Sequence, residues 1–438
     1  MSKDIKERAL QLHARYHGKI QTLPKVPVED RSDLSLWYTP GVAEPCKKIK
    51  EDPESVYEYT NKGNTVAVVS DATRILGLGD IGPLAGLPVM EGKALLFKHF
   101  GGIDAVPIML DTKNPDKFIE VIKIIAPSFG GINLEDISSP KCFYILDRLR
   151  KELNIPVWHD DQQGTATVVL AAVINALKIV GKKMEDVVVT FFGAGAAGYA
   201  SMRLLAEAGV DPGNIRVVEI VNREPTVLHQ HMDLARLFPY RGCFLRKTNK
   251  DNVMGGPEEA LKDADILISF TRPGPGVIKK EWIEKMNDDA IVFPLANPVP
   301  EIWPDEAKEA GAKIVGTGRS DFPNQINNSL GFPGIFRGAL DVRATGITDG
   351  MAVAAAYELA RVGEEEGLSE DKILPTMDDW EVFAREAAAV AVAALEEGVA
   401  RKYTTWDEEY ELAKKIIYGS RKSLKVLMDN GIIRRYEE

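Results

Sequence analysis

The amino-acid sequence predicts an α/β protein of two domains, the second a parallel doubly wound sheet, with helices near the C-terminal end packing back on them. Three observations carry this. The chain has 438 residues, about three times the size of a common domain. Beyond Val187, strand-like and helix-like segments alternate as VVVTFF, MRLLAEAG, IRVVEI, DILISF, AIVFP and AKIVG, and such alternation builds βα units around a parallel sheet. Upstream, from Thr65, the runs TVAVVS, KALLF and AVPIML are separated by Gly and Pro clusters such as GLGDIGPLAGLP. That pattern reads as strands and loops with intervening helices. The expected domains are residues 1–160 and 161–345, followed by a helical segment, 346–438.

The first residues, MSKDIKERALQLHARYHG, alternate charged and apolar side chains like a surface helix closed by Gly18, without the apolar stretch of a secretory signal. TVAVVS, KALLF and AVPIML are read as the strands of the first domain, which puts Lys93 in a strand-like apolar run. Thr165–Val180, TATVVLAAVINALKIV, is apolar nearly all round and stops at Gly181, which predicts a buried connecting helix. The apolar stretch Val187–Ala200 is cut by Gly193, Gly195 and Gly198, too broken to span a bilayer. From Thr348 the pattern is helical again, and the last residues, RRYEE, read as a solvated end.

Composition narrows the function. Hydrophobic residues at 45% and charged residues at 27% describe an ordinary globular chain. A net charge of −11 argues against nucleic-acid or anionic-membrane partners, which reward clustered Lys and Arg. Cys46, Cys142 and Cys243 are too few and too far apart for a disulfide framework or a zinc site, so a reducing, cytoplasmic setting is expected.

The run VVVTFF leads into GAGAAG, Gly193-Ala194-Gly195-Ala196-Ala197-Gly198, which opens a helix. In that setting the first Gly permits a tight turn, the second lets backbone approach a pyrophosphate, and the third lets helix and strand pack closely. A Rossmann-type dinucleotide-binding domain follows. Glu219, at the end of IRVVE, suits the ribose hydroxyls of NAD, while Arg223 just beyond could take the 2′-phosphate of NADP, so both cofactors stay open.

Two acidic patches stand out, Glu135 and Asp136 in NLEDI and Asp160 and Asp161 in WHDDQQGTA. Such pairs are more often solvated turns or helix caps, but two or three carboxylates in apolar surroundings suit Mg²⁺ or Mn²⁺. By itself Lys93 reads as a Lys whose ammonium reaches out of an apolar run, and Tyr38 as an amphipathic tyrosine beside Trp37. Arg74 reads as a surface ion-pair partner, and Asn297 and Asn328 as turn residues. His159 reads as structural.

The strings WYTPGVAEPC, RILGLGDIG, LPVMEGKALLFK, NLEDI, HDDQQGTA, GAGAAG and LANPVPEI, from Trp37 onward, occur in this order in malic enzymes, which the sequence resembles as far as Gly338. The overall length is similar to that of the small prokaryotic branch. The resemblance implies an N-terminal malate-binding domain ahead of the dinucleotide-binding one, and the metal-dependent oxidation and decarboxylation of (S)-malate to pyruvate with NAD or NADP. It makes Glu135, Asp136 and Asp161 the ligands of Mg²⁺ or Mn²⁺, and Asp160 a neighbour that orients them or tunes the base. It makes Lys93 the general base, with a pKa that burial and the cation should depress, and Tyr38 the general acid. Arg74 would hold a substrate carboxylate, and Asn297 and Asn328 would touch nicotinamide or substrate. A homodimer is implied too. The rival readings are a plain malate dehydrogenase and a non-catalytic nucleotide sensor, against which the complete set of Tyr38, Lys93 and the acids speaks.

Overall fold

The computed structural model describes residues 3–75 and 77–436. Leu76, within RILGLGDIG, and the last two residues of RRYEE therefore lie outside the described residues.

The β-branched run TVAVVS forms β1 (Thr65–Ser70), and AVPIML supplies β2 (Asp104–Met109). Two further strands, β3 (Gly131–Leu134) and β4 (Val157–His159), complete a parallel sheet of order β2-β1-β3-β4. Alternation along β1 sends Val66 and Val68 to one apolar cluster and Ala67 and Val69 to another, on the opposite face.

KALLF is not a strand. It lies inside a helix, Pro83–Gly101, started by Pro83 after Gly82 and ended by Gly102 in the left-handed region at φ 64°. A short apolar run fits a buried helix as well as a buried strand, and only its tertiary setting separates the two. In this helix Met90, Lys93, Ala94, Phe97 and Gly101 recur at three- and four-residue spacing and are buried.

The second sheet holds β5 (Val189–Phe192), β6 (Ile215–Val221), β7 (Glu224–Val227), β8 (Ile266–Ser269), β9 (Ala290–Pro294) and β10 (Ala312–Val315), in the order β10-β9-β8-β5-β6-β7. All pairs are parallel except β6–β7. The chain leaves β5 for β6 on one side and returns to β8 on the other, so the sheet order reverses at β5, where a ligand crevice forms in doubly wound folds. The antiparallel β7 was not expected. Asn222 and Arg223, at φ 52° and 72°, form a two-residue hairpin loop, the left-handed pair that suits the twist of the flanking strands.

The helix Thr165–Val180 is buried and ends at Gly181 with φ 67°. Among the described residues the stretch Asp160–Val180 is the one helix long and apolar enough to cross a membrane, but 78% of its 18-residue apolar window is buried inside the fold. Helices Ala196–Glu207 and Asp349–Glu365 pack against it. The remaining C-terminal helices, Glu381–Glu396 and Trp406–Asp429, pack on each other and on Pro83–Gly101. One apolar core therefore runs from β1 through Thr165–Val180 to β5 and β8.

Candidate active site

Loops that leave the C-terminal ends of β3, β4 and β5 carry most of the candidate residues. Glu135 and Asp136 follow β3, Asp160 and Asp161 follow β4, and GAGAAG follows β5. Lys93 comes from the side, on the helix Pro83–Gly101.

Lys93 is 7% exposed, and its Nζ donates to Asp160 Oδ2 at 2.6 Å and pairs with Glu135 Oε1 at 2.9 Å. It also lies 4.4 Å from the centre of the Phe332 ring. Burial alone would lower the Lys93 pKa, as the sequence reading expects, but the charges of Asp160 and Glu135 outweigh it and hold the pKa well above the ordinary lysine value. Burial and the two carboxylates thus pull in opposite directions and the carboxylates prevail, whereas a cation held by the acids would act in the same sense as burial.

Asp160–Gly164 forms a single π-helical turn between β4 and the buried helix, a local widening that recurs at functional sites. The turn aims Asp160 inward, where Trp158 Nε1 donates to its Oδ1 at 3.2 Å. Across the sheet, Asn133 Nδ2 donates to Glu135 Oε2 at 2.9 Å. Asp136 takes the left-handed conformation, φ 53°, which non-glycine residues rarely adopt outside functional or strained sites. There its N–H donates to Asp161 Oδ2 at 2.7 Å and its carbonyl accepts the Arg74 N–H at 3.0 Å. The predicted metal ligands and Arg74 are therefore neighbours.

Burial raises the Glu135 carboxyl well above the usual range; Lys93 opposes that rise, and the charges of Asp161, Asp160 and Asp136 add to it. Carboxylates that press on one another in this way fit a hard divalent cation in donor chemistry. Their present positions are spoken for by Lys93 and by the Asp136 N–H, and among the described residues no three such donors already stand around one point. His159 is fully buried, and burial lowers its imidazole pKa below the ordinary value.

At the GAGAAG turn the backbone itself requires glycine at Gly193 and Gly198 and leaves open space at Gly195. Gly193 has φ 94°, a Cβ on Gly195 would meet nothing within 4 Å, and a Cβ on Gly198 would stand 2.1 Å from the Gly193 carbonyl oxygen. Glu219 accepts the Ala194 N–H, so its carboxylate lies at the turn. Arg223 is exposed on the β6–β7 hairpin loop.

Asn297 follows β9 at a cis peptide bond to Pro298. Buried Glu301 pins this loop by accepting from Ala296 N at 3.0 Å, Thr271 N at 2.9 Å and Ser269 Oγ at 2.7 Å. Gly77, in the Arg74 loop, abuts the Asn297 carbonyl and Pro298, so the two sheets' loops meet here. Asn328 opens a short 3₁₀ turn just before the helix Phe332–Asp341. Tyr38 stands apart: it is 72% exposed, and among the described residues no hydrogen bond joins it to Lys93.

Sequence reasoning missed Trp158, Asn133 and Arg241. A signal existed for the first two, because each lies two residues before a predicted acid, and strand alternation points such residues to one face. Arg241 had none. Its guanidinium donates to the Ala194 carbonyl and lies 5.1 Å from the Phe143 ring and 5.2 Å from Phe238.

A glycine-rich turn at the reversal of a parallel sheet, together with a buried lysine among carboxylates, defines a nucleotide-dependent enzyme of the α/β class. Residues 17–150 match the family described as "Malic enzyme, N-terminal domain" and residues 162–396 match "Malic enzyme, NAD binding domain". A crystal structure of malic enzyme from Pyrococcus horikoshii superposes with a TM-score of 0.93 at 63% identity, covering 97% of this chain and 98% of that one. The bifunctional malic/malolactic enzyme of Bacillus subtilis is 49% identical, over 94% of this chain and 98% of its own length. The NAD-dependent malic enzyme of Geobacillus stearothermophilus is 51% identical, over 91% of this chain and 81% of its own. The chain belongs to the malic enzyme family.

Proposed function

We propose that the chain oxidises (S)-malate with NAD or NADP and decarboxylates the product to pyruvate and carbon dioxide, in a divalent-metal-dependent reaction. The observation that carries this reading is the burial of Lys93 between Asp160 and Glu135, beside Asp136 and Asp161. Glu135, Asp136 and Asp161 would hold Mg²⁺ or Mn²⁺, which when bound polarises the oxygen on C2 and favours its negative charge. The GAGAAG turn would hold the pyrophosphate of the dinucleotide, whose nicotinamide would supply the hydride acceptor.

Lys93 takes the proton of the C2 hydroxyl. For this it must lose part of the charge stabilisation it has in the present arrangement, and a cation held by Glu135 would weaken the pull of that carboxylate while leaving it in place. Asp160 keeps the amine aimed and receives its proton in turn. Arg74, beside Asp136, grips a substrate carboxylate by a two-pronged contact. Asn297 and Asn328 border nicotinamide and substrate. Tyr38 protonates C3 of the enolate left when carbon dioxide departs.

Tyr38 lies in a segment whose Leu23, Val28, Leu34, Leu36 and Trp37 are exposed, an apolar strip that argues for cover by a second copy of this chain, hence a homodimer. The three cysteines are unpaired, which suits the cytoplasm.

The test is nicotinamide reduction with malate, with and without Mn²⁺ and EDTA, for NAD and NADP separately, together with pyruvate and carbon dioxide assays. Metal-dependent pyruvate in step with reduction supports the reading. Oxaloacetate alone would make this a plain dehydrogenase, and dinucleotide binding without reduction would make it a sensor.

A further inference from the structure

Asn133 and Trp158 are register partners on the neighbouring parallel strands β3 and β4. Both side chains are fully buried, and each donates to the carboxylate two residues further along its own chain. The geometry is matched. Trp158 Nε1 holds Asp160 Oδ1 at 3.2 Å, leaving Oδ2 for Lys93 at 2.6 Å. Asn133 Nδ2 holds Glu135 Oε2 at 2.9 Å, leaving Oε1 for Lys93 at 2.9 Å. A continuous chain thus runs from indole to carboxylate to ammonium to carboxylate to amide, anchored at both ends on one sheet.

We propose that Trp158 and Asn133 are positioning residues, which fix the two carboxylates between which Lys93 is aimed at its substrate. This rests on the reading of Lys93 as the acid–base group. The physical case is that a lysine side chain has four rotatable bonds, and its amine stays on target only if its partners are fixed. An indole N–H can only donate. Buried as it is among Phe97, Ile103 and the Thr165–Val180 helix side chains of one core cluster, Trp158 would lose its hydrogen bond if Asp160 turned away. That penalty locks the carboxylate. Asn133 Oδ1 has no hydrogen-bond partner among the described residues, so the amide's bond to Glu135 is what orients it. An apolar residue at either place would fill the core equally well but release a carboxylate.

The experiment uses the full-length enzyme and the variants Trp158→Phe and Asn133→Leu, both of which keep bulk and remove the donor. Each is expected to lower kcat for malate about tenfold, the usual size for partners that orient a catalytic group. KM for malate and the dissociation constant for NADH, read by fluorescence, should stay within about threefold of the unsubstituted enzyme. In an Asp160→Ala background, Trp158→Phe should cost less than about twofold, because its partner is already gone. Unchanged kcat in both variants, or the same factor for Trp158→Phe with and without Asp160, would overturn the proposal. Should Trp158→Phe fail to fold, Asn133→Leu tests the other arm by its kcat-against-KM split. Lys93→Met serves as the control: if it keeps full turnover, the reading of Lys93 itself has failed, whereas its loss beside an unaltered Trp158→Phe sinks the positioning role alone.

Discussion

The carboxylate of Asp160 occupies the space in which Gly164 would carry a side chain: a Cβ there would lie 1.8 Å from Asp160 Oδ1. Asp160 cannot give way cheaply, because its two oxygens are held by Trp158 and Lys93. Gly164→Ala should therefore expel the carboxylate, lower kcat by ten- to a hundredfold, and cost about 1–3 kcal/mol of stability through overpacking. Steady-state kinetics and urea unfolding check both parts. An alanine variant with normal kcat would show that Asp160 does not need its present position.

The two adjacent aspartates should fail differently. Asp161 faces the Asp136 N–H and Asp160 faces Lys93. Asp161→Asn is expected to raise the Mn²⁺ concentration for half-maximal activity more than about tenfold, whereas Asp160→Asn should lower kcat with Mn²⁺ affinity nearly retained. Mn²⁺ titration by electron paramagnetic resonance gives affinity without turnover. The reverse pattern would exchange the two roles.

Arg241 braces the GAGAAG turn through the Ala194 carbonyl and two aromatic faces. Lysine keeps the charge but loses the planar fork and its stacking. We expect Arg241→Lys to weaken dinucleotide binding about three- to tenfold, with kcat at saturating cofactor within about twofold. NADH fluorescence titration decides it, and unchanged affinity would leave Arg241 a structural residue only.

Glu409, on the last helix, is buried beside Asp341, which is itself held by Arg337 at 2.6 Å. Burial, and then the Asp341 charge, push its carboxyl up to about 10. A folded-state pKa raised above the unfolded value gives stability that is complete below the ordinary carboxylate range and is lost as pH rises toward about 10. Glu409→Gln removes that loss. The variant should match the unsubstituted chain at about pH 3, where the carboxyl is protonated in both the folded and unfolded chain, and be the more stable of the two by about pH 9. Thermal unfolding across that range reads the difference, and a constant gap at all pH values would refute the linkage.

The sequence by itself determined the parallel sheet of the second domain, the glycine-rich turn, the buried helix Thr165–Val180 and the set of acids. Each of these is a local signal: strand alternation, glycine at positions where a Cβ would clash or φ is positive, and an apolar face wider than any surface helix carries. The order of the strings was legible too, which is why the family could be read before the fold. Only the tertiary structure decided that KALLF is helical, since a run of five apolar residues fits either state until its neighbours are known. It decided as well which carboxylates flank Lys93, because Asp160 and Glu135 come from two other parts of the chain. Arg241 belongs to the same class, and so does the pairing of Asn133 with Trp158, whose places two residues before the acids were legible but whose register was not. Charge and hydrogen bonding act through space, and residues dozens of positions apart meet only once the strands have chosen their partners and register.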